Sequence, residues 1–149
     1  MSLFGKIWRW ALARFYRRWA DVHRHYGNLY GNVQEHWAAV EYYTRAIVLD
    51  PGYAQAYFSR GVLYWREISD PARAIEDLGR AIELDPEWSD AYLNRGLALK
   101  LHGDLTQAIT DFERYLETGQ DEFWRDAARG QIDELADELS TESNREVNG

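Results

Sequence analysis

The chain has no cysteine, only three prolines and no long uninterrupted apolar run among its 149 residues. The missing cysteine removes disulfides, thiolate nucleophiles and thiolate metal sites together. It leaves the redox compartment open, a reducing one being the simpler expectation. Scarce proline, with 46% hydrophobic and 15% aromatic residues, argues against disorder and for a folded unit with a sizeable core. No run approaches about 18 apolar residues, so no segment reads as a membrane-spanning helix. The first apolar stretch is interrupted by Arg9, Arg14, Arg17 and Arg18 and lacks the continuous apolar segment of a secretory signal. The expectation is a cytoplasmic protein.

Constellations of catalytic groups are missing too. His23 and His25 lie two apart on a helical stretch, point in different directions and cannot form an i, i+4 metal chelate. The 25 carboxylates fall in runs on solvent faces. There is no Ser/His/Asp set and no phosphate-cradling glycine loop. The expectation is a binding protein rather than an enzyme, without metal or cofactor.

What is present is a repeat with a period of about 35 residues. The run Arg45-Ala-Ile-Val-Leu-Asp-Pro51 returns as Arg80-Ala-Ile-Glu-Leu-Asp-Pro86, and Ala56-Tyr-Phe-Ser-Arg-Gly61 returns as Ala91-Tyr-Leu-Asn-Arg-Gly96. A fixed period of this length marks a stacked array. Three helix pairs follow from the apolar spacing and its punctuation: 20–32 with 35–49, 54–66 with 71–84, and 89–101 with 105–117. Pro51 stops the first pair, Asp70 and Pro71 start a helix, Gly103 ends one and Asp104 caps the next. Gly27, Gly61 and Gly96 sit mid-helix, where glycine costs about 1 kcal/mol against alanine, so each implies close approach of the partner helix near Ala39, Ala74 and Ala108.

These residues resemble the tetratricopeptide repeat family. The resemblance rests on a large aromatic (Tyr57, Tyr92) four before the glycine, the alanine of the second helix, a following aromatic or leucine (Tyr43, Leu78, Phe112), and a closing proline (Pro51, Pro86). The fold implied is all-α, an α-solenoid of three helical hairpins over 20–119 (20–53, 54–88 and 89–119). A basic amphipathic helix over 1–19 precedes the repeats, a capping helix over 120–139 follows, and 140–149 reads as a mobile tail. The first copy is the poorest, with His23 at the aromatic position, and the third lacks the proline. The second has one extra residue in the turn from Glu67 to Pro71. Arg60 and Arg95 replace the family's usual leucine, and Asp77 and Asp111 stand where each could pair with its arginine across the hairpin. Tyr26 and Tyr42 occupy the corresponding places in the first copy and imply an aromatic contact there.

The net charge of −8 is unevenly spread. Residues 1–31 carry six basic side chains against Asp21 alone, a net of +5, which leaves −13 for the rest. Residues 3–26 of the basic segment read as one helix or as two nearly continuous ones, with Phe4, Trp8, Ala11, Leu12, Phe15, Trp19, Val22 and Tyr26 on one face. Two uses compete. The apolar face could cover the first repeat, or the helix could lie on an anionic membrane surface through Lys6, Trp8, Arg9, Trp10, Arg14, Arg17 and Arg18. The composition also resembles a mitochondrial transit peptide. Nucleic acid is a poor partner, because there is no reading motif and the acidic body would oppose a duplex.

The resemblance implies that partners bind as peptides in a groove lined by the first helix of each hairpin. In this chain that groove would present Arg24, Asn28 and Asn32, then Gln55, Phe58, Ser59, Val62, Trp65 and Arg66, then Asp90, Leu93, Asn94, Leu97, Lys100 and Leu101. The family's carboxylate clamp for chaperone tails is only half matched. Arg24 and Asn28 fit its first part, but Ser59 replaces an asparagine, and Asp90 and Asn94 replace two bases. The expected function is a protein-interaction scaffold for a peptide segment other than a chaperone tail, with a membrane-surface adaptor as the alternative and self-association through the Trp-rich ends as a third option.

Overall fold

Helix α1 runs Leu3–Tyr30 without a break. Ser2 starts it by accepting from the Gly5 N–H, and Gly31 ends it in the left-handed conformation, φ 61°. No proline or glycine lies between Lys6 and Tyr26, so of the two readings of 3–26 the single continuous helix is the one that forms, running on across residues 19 and 20. Asn32 caps α2, Val33–Leu49, by accepting from the Gln34 N–H. Helix α3, Ala54–Leu63, continues into a π-helical turn, Tyr64–Ile68, which Ser69 ends at φ 60°. That turn takes up the extra residue of the second copy, since a π turn holds more residues than an α turn. Helix α4, Pro71–Leu84, starts as expected, with the Asp70 carboxylate accepting from the Arg73 N–H and proline in the first turn.

Helix α5 spans Ser89–His102 and ends at Gly103, φ 96°. Helix α6 spans Leu105–Thr118, and Asp104 precedes it without the expected side-chain cap. Helix α7 spans Glu122–Asn148, so most of the stretch expected as a mobile tail is helical. No proline or glycine interrupts it after Gln131, and Ser140 and Thr141 turn their hydroxyls back onto the Asp137 carbonyl. The computed structural model describes residues 2–148, and no strand occurs among them. Met1 and Gly149, the outer ends of the first and last expected segments, lie outside the described residues.

The chain divides into two compact units, Met1–Pro86 with α1 to α4 and Glu87–Gly149 with α5 to α7. In both, the repeat's signature residues form the hairpin cores. Ala39 and Tyr43, Ala74 and Leu78, and Ala108 and Phe112 are fully buried. A Cβ on Gly27 would lie 2.3 Å from His36 Cδ2, on Gly61 2.8 Å from Leu78 Cγ, and on Gly96 2.8 Å from Phe112 Cε1. The helices therefore meet too closely for any side chain at these positions.

The packing of α1 corrects the expectation that its aromatic face covers the first repeat. The buried positions are Ala13, Ala20 and Gly27, spaced by seven. Ala13 lies in one cluster with Ala46, Ile47 and Ala56, flanked by Tyr16, Leu49, Tyr53 and Tyr57. Small residues let two helices approach closely, whereas a row of tryptophan and phenylalanine would hold them apart. The aromatic stripe is left outward, with Phe4 70%, Trp8 60%, Phe15 52% and Trp19 44% exposed.

Candidate functional site

In the first unit, α1, α2 and α3 bring together a polar cluster that includes three of the expected groove residues. The Tyr43 hydroxyl donates to Asp21 Oδ1 at 2.6 Å, and Arg17 Nη1 donates to Asp21 Oδ2 at 2.7 Å. Ser59 lies beside the same phenol, and Gln55 Nε2 donates to Ser59 Oγ at 3.4 Å. Burial, followed by the Asp21 carboxylate, pushes the Tyr43 phenol well above its ordinary value, while the nearby Arg24 charge opposes the shift. Arg24 Nε is buried and has no hydrogen-bond partner among the described residues. Asp21 and Tyr43 were missed as members of this site. The Arg17/Asp21/Arg24 spacing on one helix is the signal that could have found Asp21.

Beside the cluster, Phe58 and Val62 on α3 are half-buried. Trp65 lies in the π turn with its indole N–H buried and unpartnered among the described residues, and Arg66 is exposed, 3.9 Å from Glu67. Asn28 is exposed, but its Oδ1 bonds His36 Nε2 at 2.9 Å, which ties it to its own hairpin. Asn32 is committed to capping α2.

In the second unit the expected groove residues diverge. Asp90 is exposed and Leu97 is half-buried. Leu93, expected as an open apolar contact, is buried at 7% exposure. Its neighbours on α5, Ala91 and Gly96, are buried as well, so this part of the helix is core. Asn94 Nδ2 donates to the Asp90 carbonyl at 2.8 Å, within its own helix. Lys100 Nζ donates to Gln131 Oε1 at 2.8 Å and Glu134 Oε2 at 3.0 Å on α7, so its charge is already neutralised locally. Leu101 is exposed.

A family profile described as "Tetratricopeptide repeat" matches residues 67–127. Among solved structures, the second TPR of Spaghetti (RPAP3) bound to HSP90 peptide SRMEEVD is 31% identical, over 68% of this chain and 94% of that one, with a TM-score of 0.56. The chain belongs to the tetratricopeptide repeat family. The first TPR of Spaghetti (RPAP3), bound to the same peptide, is 27% identical over 83% of this chain and 95% of that one, TM-score 0.67. The first TPR domain of human RPAP3 is 26% identical over 86% and 98%, TM-score 0.68. No curated protein matches the chain.

Within this tetratricopeptide fold the two expected ion pairs form. Arg60 Nε and Nη2 donate to the two Asp77 oxygens, both at 2.7 Å, and Arg60 Nη1 reaches Thr44. Arg95 grips Asp111 the same way at 2.7 and 2.8 Å. These arginines serve their hairpins. The expected aromatic contact between Tyr26 and Tyr42 is replaced by two others. Tyr26 stacks on Tyr30, and Tyr42 stacks on His23 at 5.0 Å, with His23 held by Glu35. Tyr26 lies on the outward side of α1 and cannot reach across the hairpin.

The basic residues expected at a membrane surface divide into two sets. Arg9 donates to the Val48 and Leu49 carbonyls at the end of α2, Arg14 pairs with Asp50 and lies 3.9 Å over the Trp10 ring, and Arg17 holds Asp21. Lys6 and Arg18 are exposed and have no partner among the described residues, and Trp8 and Trp10 are more than half exposed.

Proposed function

We propose that the chain is a non-enzymatic interaction scaffold that binds a peptide segment of a protein partner, with the main contacts on α1 and α3 of the first unit. The observation that carries this reading is the cluster of Arg24, Gln55 and Ser59 around Tyr43 beside half-buried Phe58 and Val62. It combines fixed polar groups with apolar contact area, as peptide-recognition surfaces do. Arg24 adds a half-buried cation to this cluster, which suits a backbone carbonyl or an acidic side chain of a bound peptide.

The related Spaghetti (RPAP3) structures, bound to the HSP90 peptide SRMEEVD, support a peptide as the class of ligand. The chemistry here favours an internal segment over a chaperone tail. Asp90 is exposed where a base would meet a terminal carboxylate, Asn94 is tied to its helix, and Lys100 is engaged by Glu134. Repulsion by Asp90, with Asn94 and Lys100 already engaged, works against a C-terminal carboxylate. The reading keeps the chain in the cytoplasm.

The test is selection from a displayed library of random peptides with the full chain, repeated with Phe58→Ala and Arg24→Ala. Enriched sequences that bind wild type and lose affinity with both variants are expected. A library that yields nothing above background, or peptides indifferent to both variants, contradicts the reading.

A further inference from the structure

The outer face of α1 is larger and more apolar than a free surface normally is. Leu3, Phe4, Ile7, Trp8, Phe15 and Trp19 are each 44–75% exposed. Val22, Tyr26, Leu29 and Tyr30 extend the row along the same helix. With aromatic side chains carrying about 150–250 Å² each, the row offers roughly 800–1,000 Å² of apolar surface. Contiguous patches on monomers are usually about 300–600 Å². The surface is a ridge on one helix rather than a pocket, and the helix is fixed in place from behind by Ala13, Ala20, Arg9 and Arg14.

Charge decides what covers it. No acidic side chain occurs between residues 2 and 20. Arg9, Arg14 and Arg17 are used within the fold, while Arg18, on the aromatic side, is left exposed and unpartnered among the described residues. A second copy docked through the same face would set Arg18 close to its own equivalent, since a two-fold interface pairs a patch with itself. An anionic lipid surface meets both features. It accepts Trp, Phe and Leu at the head-group boundary and supplies phosphates to Lys and Arg. No described helix is long and apolar enough to cross a membrane, so the contact is in-plane.

We infer that α1 binds the surface of an anionic lipid bilayer, lying in its plane with Phe4, Trp8, Phe15 and Trp19 at the head-group boundary and Arg18 at the lipid phosphates. The fold presents the aromatic ridge already formed, so binding needs no helix formation at the membrane. The remainder of the chain, net −13, is repelled by the same lipids, which orients the molecule with α1 against the surface.

The test is flotation of the full chain with vesicles of phosphatidylcholine alone and of phosphatidylcholine mixed with phosphatidylglycerol. Wild type should float with the mixed vesicles, much less with the neutral ones, and less as salt rises. The variants are Phe4→Ser with Trp8→Ser, and separately Arg18→Glu. All three side chains are exposed, so the helical circular dichroism and unfolding midpoint should hold while partitioning falls at least tenfold. Failure of wild type to float overturns the inference and returns the face to a protein partner. Equal flotation with neutral vesicles overturns it, as does a double variant that floats like wild type. A wild-type dimer that the double variant dissociates also overturns it, because the face would then belong to a second copy.

Discussion

Gly61 and Gly130 are both helical glycines, and alanine should move stability in opposite directions at the two. A Cβ on Gly61 would sit 2.8 Å from Leu78 Cγ and 3.3 Å from the Ala74 carbonyl, whereas on Gly130 it meets nothing within 4 Å. Gly61→Ala should cost about 1–3 kcal/mol through overpacking, and Gly130→Ala should gain up to about 1 kcal/mol of helix propensity. Urea unfolding midpoints check both. At Arg60, truncation to alanine leaves Asp77 buried and unpaired and should cost about 3–5 kcal/mol. The Arg60→Met, Asp77→Leu double variant should recover most of that loss, and a double-mutant cycle measures the coupling. Tyr43 carries a pH signature. Its phenol is raised above the ordinary value near 10, by burial first and then by Asp21. The proton is held more tightly in the folded chain, so this contribution is fully present below the unfolded pKa and is lost as pH rises beyond it. Tyr43→Phe should flatten the fall in unfolding midpoint between about pH 9 and pH 11.

At the scale of elements, α4 was legible to the residue, because Asp70-Pro71 opens it and Leu84-Asp85-Pro86 closes it. Helix α1 was legible as a helix but not in its orientation. It has two apolar faces, a bulky aromatic one and a row of Ala13, Ala20 and Gly27, and apolar bulk draws attention to the first while close packing requires the second. The helical stretch beyond Leu139 was missed because it has no apolar stripe, and only the run without proline or glycine hinted at it. The continuity of α1 has a direct check. Arg18→Pro, at an exposed position where two nearly continuous helices would have met, removes the N–H donor within the helix and should cost about 3 kcal/mol or more in unfolding free energy. A hinge at that point would tolerate it.

For the whole molecule, the repeat register placed Arg24, Gln55 and Ser59 on the first helices of their hairpins, and they meet around Tyr43. Register alone could not show that Leu93 is buried or that α7 brings Glu134 onto Lys100, because both depend on where the last helices pack. These two facts restrict the proposed peptide surface to α1 and α3. They also predict that the peptide SRMEEVD, bound by the related Spaghetti (RPAP3) domains, fails to reach a Kd below about 1 mM here by calorimetry, a threshold equivalent to about −4 kcal/mol. The central claim is tested most directly by fluorescence anisotropy of a library-selected peptide titrated with wild type and Phe58→Ala. Loss of a side chain that anchors the peptide should weaken binding about tenfold or more, near 1.4 kcal/mol, with the helical circular dichroism retained at the assay temperature. Equal affinity for the two proteins would contradict the account.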